Sequence, residues 1–154
     1  MLVTQGNLAM TYSMLGRDEQ ASSMHRDVYS GYVRLNGEEH LNTLIAACNY
    51  ASSLRELRRF DEAKALLRET TPVVRRVIGE SNDLTLKMRL LYAVALYEDA
   101  AATLHDLCEA VNMLEELERT ARRVFGGAHP LTSRIEDDLR LARAVLDQSS
   151  GYSL

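Results

Sequence analysis

The side chains that could perform chemistry are scattered along this sequence. His40 and His129 belong to two separate copies of a linker motif, so we do not expect them to share a metal ion. We expect each of them to cap a helix or to contact solvent. His25 and His105 have no cysteine or carboxylate partner at the spacing of zinc ligands. The histidines therefore predict no metal site.

The neighbouring acidic residues do not indicate an acid–base site either. The pairs at 115–116 and 137–138 lie within predicted helices, where successive side chains point in different directions. The sequence also lacks a glycine-rich phosphate loop, a nucleophile elbow and a His-Glu-x-x-His pattern. We therefore predict a protein that is not an enzyme and binds no cofactor.

A sequence motif that occurs three times indicates the structural units that must position these side chains. Residues 37–44 read GEEHLNTL, residues 79–86 read GESNDLTL, and residues 126–133 read GGAHPLTS. The copies begin 42 and then 47 residues apart. A period of this size is typical of stacked supersecondary units.

Apolar residues between the copies recur every three or four positions, which is the pattern of amphipathic helices. In the second unit one such stripe spans 43–57 and another spans 63–78, which predicts a helix A and a helix B. Gly79 suits a helix end, and Asn82 suits the cap of the next helix. We predict one domain over 1–148, with units at about 1–37, 38–79 and 80–126, a capping helix at 130–147 and a frayed tail at 149–154.

The third unit contains five extra residues between Leu96 and Ala110. Their sequence is compatible with a helix, so we predict that helix A and the following turn are longer in this unit. Asp106 and Glu109 have the spacing of a capping box for helix B. The alternative is one unbroken helix over about 84–124.

Composition and charge exclude further classes of protein and indicate the cellular compartment. The net charge of −4 argues against a nucleic-acid-binding protein, which needs a clustered basic surface. Cys48 and Cys108 lie in different units, which favours unpaired thiols and a reducing compartment. No secretory signal and no long apolar stretch occurs. These features predict a soluble intracellular protein, in the cytoplasm or in an organelle, with no membrane insertion.

Short motifs connect the units to a known family. Asn-Leu-Ala at 7–9, Asp-Glu-Ala at 61–63 and Gly-x-x-His-Pro-x-Thr at 126–132 together resemble the tetratricopeptide repeat. The 42-residue interval and the linker at 37–44 resemble the repeats of kinesin light chain and its relatives. The resemblance covers about 3–146 and implies a right-handed α-solenoid of helix-turn-helix units that acts as a non-enzymatic scaffold for protein binding.

In that family the A helices line a concave groove that receives a peptide. The resemblance implies that Asn7 and Asn49 bridge the backbone of such a peptide, because an amide both donates and accepts hydrogen bonds; the alternative is that they are helix-packing amides. The methionines among the implied groove residues favour an apolar motif, and Arg55 and Lys87 favour an acidic one; the alternative is that such basic side chains are solvated or paired along the helices. The alternative function is a permanent structural subunit of a larger assembly. The implied groove residues are Asn7, Met10, Met14, Asn49, Ser52, Arg55, Lys87, Leu90, Leu91 and Val94.

Overall fold

The computed structural model describes residues 1–151, and these residues form α-helices joined by short turns, without strands. Each predicted helix is present, so the prediction of an all-α repeat fold is confirmed. The two helices of the third unit are separate, which excludes the unbroken helix. The helices are α1 (Leu2–Met14), α2 (Asp18–Asn36), α3 (Leu41–Glu56), α4 (Phe60–Ile78), α5 (Asp83–Glu98), α6 (Leu104–Phe125) and α7 (Pro130–Gly151).

The helices divide into two compact units, Met1–Gly79 and Glu80–Leu154. In the first unit each helix packs against the next one along the chain, so that α2 contacts both α1 and α3. In the second unit α6 contacts both α5 and α7, and α5 also contacts α7 directly. The division falls at the predicted boundary between the second and third repeats.

Alanines allow the paired helices to approach closely. Ala9, Ala51 and Ala93 occupy equivalent positions in the three A helices, and each is 0% exposed. Side chains of this size leave room for larger apolar residues from the partner helix, which fill the space at the density of a protein interior. The repeat therefore places the same small, fully buried side chain in each of the three A helices.

The three copies of the sequence motif share one local structure. Gly37, Gly79 and Gly126 follow the ends of α2, α4 and α6 with φ of +81°, +90° and +85° and ψ near 170°. This combination is accessible almost only to glycine, because a Cβ atom clashes with the backbone there. The residue three positions later caps the next helix, since its side chain accepts a hydrogen bond from the backbone N–H two residues ahead. These distances are 3.2 Å at His40, 3.0 Å at Asn82 and 3.1 Å at His129.

The extra residues of the third unit lie in the turn and in helix B. The turn at 99–103 has five residues where the turn at 57–59 has three, and α6 has 22 residues where α4 has 19. Since α5 and α3 both have 16 residues, the prediction of a longer helix A is wrong. The capping box is formed one turn earlier than predicted, because Thr103 and Asp106 each accept a hydrogen bond from the backbone N–H of the other.

The last helix is longer than the sequence pattern predicts. It extends through Gly151, so residues 149–151 of the predicted tail are helical, and residues 152–154 lie outside the described residues. Leu131, Ile135 and Leu139 lie on its buried face and join the core formed by α5 and α6. This helix thus covers the apolar surface that the last helical pair would otherwise expose.

Candidate functional site

The first unit has an open cleft between α1 and α3, with α2 as its floor. Two cavities of about 200 Å³ and about 120 Å³ form this cleft. Met10, His25 and Asn49 line both cavities, so the two cavities are adjacent. We call the combined space the α1–α3 cleft.

The two ends of the cleft differ in their lining residues: aliphatic side chains contribute to the larger cavity, and residues with polar groups predominate around the smaller one, which we call the polar end. The larger cavity is lined by side chains that include Val3, Val28 and Ile45. Val3 and Ile45 are 64% and 41% exposed, so these side chains are accessible to a ligand. The smaller cavity is lined mainly by hydroxyl, amide, imidazole and carboxylate groups: Ser13, His25, Asn49, Ser52, Ser53 and Glu56.

A hydrogen bond connects the two walls at the polar end. The Ser13 hydroxyl on α1 donates to Oε2 of Glu56 on α3 at 2.9 Å. This bond joins two residues that line the smaller cavity. The other carboxylate oxygen keeps its capacity to accept hydrogen bonds from a bound group, because an ionised carboxylate has about four acceptor positions.

His25 is the polar exception on the buried face of α2. Adding the repeat intervals of 42 and 47 residues places it at the positions of Leu67 and Leu114, which are 1% and 0% exposed. His25 itself is 6% exposed. Its burial lowers the pKa of the imidazole below the usual 6.5, while the nearby Glu56 carboxylate opposes this shift. A neutral imidazole that can donate and accept therefore lies beneath the cleft.

The burial of His25 predicts that acid destabilises the first unit. Because its pKa is lower in the folded protein than in the unfolded chain, the unfolded chain binds more protons as the pH falls below about 6.5. The stability from this group is present above that pH and is lost as the pH falls through the folded-state pKa. We expect His25→Leu to reduce this loss, because leucine occupies the equivalent positions. Thermal unfolding of both proteins at a series of pH values between about 7.5 and about 5 measures the difference, and equal pH dependence would contradict it.

The equivalent region of the second unit is filled. Leu90 and Val94 are 2% and 0% exposed and belong to a core shared by α5, α6 and α7. Tyr97 donates to Oδ1 of Asp138 at 2.6 Å, which ties α5 to α7. Contact between α5 and α7 therefore fills the space whose equivalent in the first unit, between α1 and α3, is open.

The structure brings together part of the predicted groove. Asn7, Met10, Asn49 and Ser52 line the α1–α3 cleft, whereas Met14 and Arg55 lie on the same helices but do not line its two cavities.

The predicted groove residues of the second unit are placed differently. Lys87 is exposed and pairs with Asp83 at 2.7 Å. Leu90, Leu91 and Val94 are buried, which corrects their predicted placement on an open wall. Leu90 and Val94 are buried because α7 packs against α5 and α6 and completes the core to which both side chains belong.

His25 and Glu56 line the cleft but are not among the residues predicted from the sequence to form the groove. His25 could have been found by aligning the three units, because it is a polar residue on an otherwise apolar stripe of helix B. Glu56 carries no comparable signal, since acidic residues on helices are usually solvated. Its place at the cleft follows from the three-dimensional structure, in which it accepts a hydrogen bond from Ser13 on α1.

The described residues contain neither a metal-binding cluster nor a disulfide bond. Within 1–151, no three or more histidine, cysteine or acidic side chains are grouped as a metal ion would require. Cys48 and Cys108 form no disulfide. No helix among the described residues combines the length and the apolar composition needed to cross a bilayer.

Comparisons with known proteins agree with this architecture. The family model for the tetratricopeptide repeat matches residues 1–76. No match was found among curated proteins. A solved structure of TPR-like repeats, from a protein of Podosopora anserina described as a kinesin light chain, superposes with a TM-score of 0.84 at 19% identity, over 97% of this chain and 69% of that one. BtubC (BKLC) from P. vanneervenii superposes with a TM-score of 0.71 at 17% identity, over 97% of this chain and 61% of that one.

Proposed function

Because residues 1–76 belong to the tetratricopeptide-repeat family and the chain has the fold of such repeats, we propose that it is a non-enzymatic protein-interaction module that captures a peptide segment of a partner in the α1–α3 cleft. Tetratricopeptide repeats generally mediate contacts between proteins. The observation that carries the proposal is that this cleft is open and offers both apolar and polar side chains, whereas its equivalent in the second unit is filled.

The dimensions and chemistry of the cleft suit a short extended peptide. Residues Leu2 to Ser13 of α1 line it, which corresponds to about 17 Å of helix and therefore to about five residues of extended chain. Asn7 and Asn49 can donate to and accept from a peptide backbone without requiring a particular sequence. Met10 is 53% exposed, and its flexible side chain can adapt to apolar groups of different shape.

The cellular setting is part of the same proposal. Two cysteines that form no disulfide favour a reducing environment, so we place the protein in the cytoplasm. A protein or peptide partner in that compartment would bind without a metal ion or a cofactor. The alternative role as a permanent subunit of a larger assembly differs in one measurable respect, which is the behaviour of the chain without its partner.

The test begins with selection of a displayed random-peptide library on the immobilised protein. The dissociation constant of a selected peptide is then measured by calorimetry for the wild type, for Asn49→Ala and for Asn112→Ala. Asn112 is exposed on α6, outside the cleft, and provides a matched control. We expect Asn49→Ala to weaken binding about tenfold, because a truncated amide removes about 1 to 1.5 kcal/mol of hydrogen bonding, and Asn112→Ala to leave it unchanged.

Two results of this experiment would contradict peptide capture in the cleft. If wild type and Asn49→Ala bind with equal affinity and circular dichroism shows intact helices, the proposal that the peptide binds in the α1–α3 cleft is contradicted. Failure to select any peptide, together with light scattering that shows the purified chain to associate or aggregate, would favour the permanent structural subunit.

A further inference from the structure

We propose that the α1–α3 cleft selects peptides in which an apolar side chain lies about five residues from a lysine or arginine side chain. This inference rests on the proposed function, and it names the class of ligand that the cleft takes. It differs from the acidic motif expected from Arg55 and Lys87 in the sequence, since the charged group in this cleft is a carboxylate.

The apolar half of the ligand follows from the larger cavity. Val3 from α1, Val28 from α2 and Ile45 from α3 converge on it from three helices. A branched or aromatic ligand side chain placed there removes apolar surface from water on both binding partners, which favours association in proportion to the buried area. No charged side chain lines this cavity among the residues that the structure describes, so an acidic or basic ligand group gains no ionic partner at this end.

The basic half of the ligand follows from the smaller cavity. Glu56 supplies the charged group among the described residues that line the two cavities, apart from the titratable His25. Its Oε2 atom accepts a hydrogen bond from the Ser13 hydroxyl at 2.9 Å, which favours this orientation of the carboxylate before a ligand arrives. An ammonium or guanidinium group can donate to the remaining acceptor positions, and such charge-assisted hydrogen bonds are stronger than neutral ones.

Neither of the two cations expected to attract an acidic peptide is among the residues that line this cleft. Lys87 belongs to the second unit, where its ammonium group pairs with Asp83 at 2.7 Å. Arg55 does not line either cavity. His25 lies beneath the polar end, and its burial lowers its pKa, so it adds little positive charge near neutral pH. The cleft therefore favours a cationic over an anionic ligand group.

The spacing between the two ligand groups follows from α3. Ile45 and Glu56 are separated by 11 positions of one helix, which is about 17 Å. An extended peptide covers this distance in about five residues. Asn49 lies between them and can bind the intervening peptide backbone.

The test uses labelled synthetic peptides of about eight residues with leucine and one variable position about five residues apart, in both chain orders. The variable position is lysine, glutamine or glutamate, and affinities are measured by fluorescence anisotropy. For the wild type we expect the lysine peptide to bind about fivefold more tightly than the glutamine peptide, and the glutamate peptide to bind most weakly. The preference should shrink as salt is added, because ions screen exposed charges.

Three variants separate charge from structure. Glu56→Gln keeps an acceptor for the Ser13 hydroxyl but removes the charge, so it should abolish the preference without loss of helix content. Glu56→Lys should invert the order, so that the glutamate peptide binds most tightly. Glu69→Lys makes the same charge change at an exposed position of α4 that does not line the cleft, and should keep the order of the wild type.

The outcomes distinguish this inference from the proposed function. If binding depends on Asn49 but Glu56→Lys leaves the order of the three peptides unchanged, the inference is overturned and peptide capture stands. If the wild type prefers the glutamate peptide, the inference is overturned as well. If no peptide in the set or in the selected library depends on Asn49, peptide capture itself fails.

Discussion

Leu90→Asp is expected to lower the free energy of unfolding of the second unit by about 4 kcal/mol or more. Leu90 is 2% exposed and contributes to the core of α5, α6 and α7. The substitution removes a large apolar side chain and places a carboxylate where water cannot solvate it. Chemical denaturation followed by circular dichroism measures the loss, and we expect a variant whose second unit is largely unfolded at ambient temperature.

Met10→Asp is the matched control for this substitution. Met10 also lies at a position predicted to face the groove, but it is 53% exposed, so a carboxylate there remains solvated. We expect its unfolding free energy to stay within about 1 kcal/mol of the wild type, with the difference set mainly by helix propensity. Similar stability for the two variants would contradict the finding that the second unit is closed where the first is open.

Gly126→Ala is expected to cost about 2 kcal/mol of unfolding free energy. Gly126 has a φ of +85° and a ψ of +165°, a conformation that a residue with a Cβ atom rarely adopts. A Cβ atom built at this position meets no atom within 4 Å, so the expected cost is conformational and not a clash with neighbouring side chains. Thermal or denaturant unfolding measures the change.

The adjacent Gly127 offers a close control. A Cβ atom built on Gly127 also meets no atom within 4 Å, and its φ lies outside the positive range that alanine avoids. Gly127→Ala should therefore change the unfolding free energy by less than about 1 kcal/mol. If both alanine variants were equally stable, the conserved geometry of the repeat motif would not depend on glycine at its first position.

Much of the fold could be predicted from the sequence because its determinants are local. The three- and four-residue spacing of apolar side chains predicts each helix, since a helix that buries one face needs this spacing. The repeated glycine predicts the helix ends, and the residue three positions later predicts the caps at His40, Asn82 and His129. These contacts join residues a few positions apart, so a repeated sequence produces a repeated structure.

The candidate site was only partly predictable because it depends on contacts between distant residues. The same helix position is occupied by Asn7, Asn49 and Leu91; the first two line the α1–α3 cleft, whereas Leu91 is 7% exposed. Helix periodicity gives the face of α5 but does not reveal that α7 contacts that helix directly. Likewise, the hydrogen bond that holds Glu56 comes from Ser13, 43 residues earlier in the chain.

The position of a bound peptide tests the central claim most directly. A peptide obtained from the library selection is titrated into isotopically labelled protein, and nuclear magnetic resonance follows the side-chain amides of Asn7, Asn49 and Asn112 together with the ring of His25. If the peptide binds in the α1–α3 cleft, we expect saturable chemical-shift changes for Asn7, Asn49 and His25, and none for Asn112 on α6. Saturable shifts confined to the second unit, with the amide signals of Asn7 and Asn49 unchanged, would contradict it.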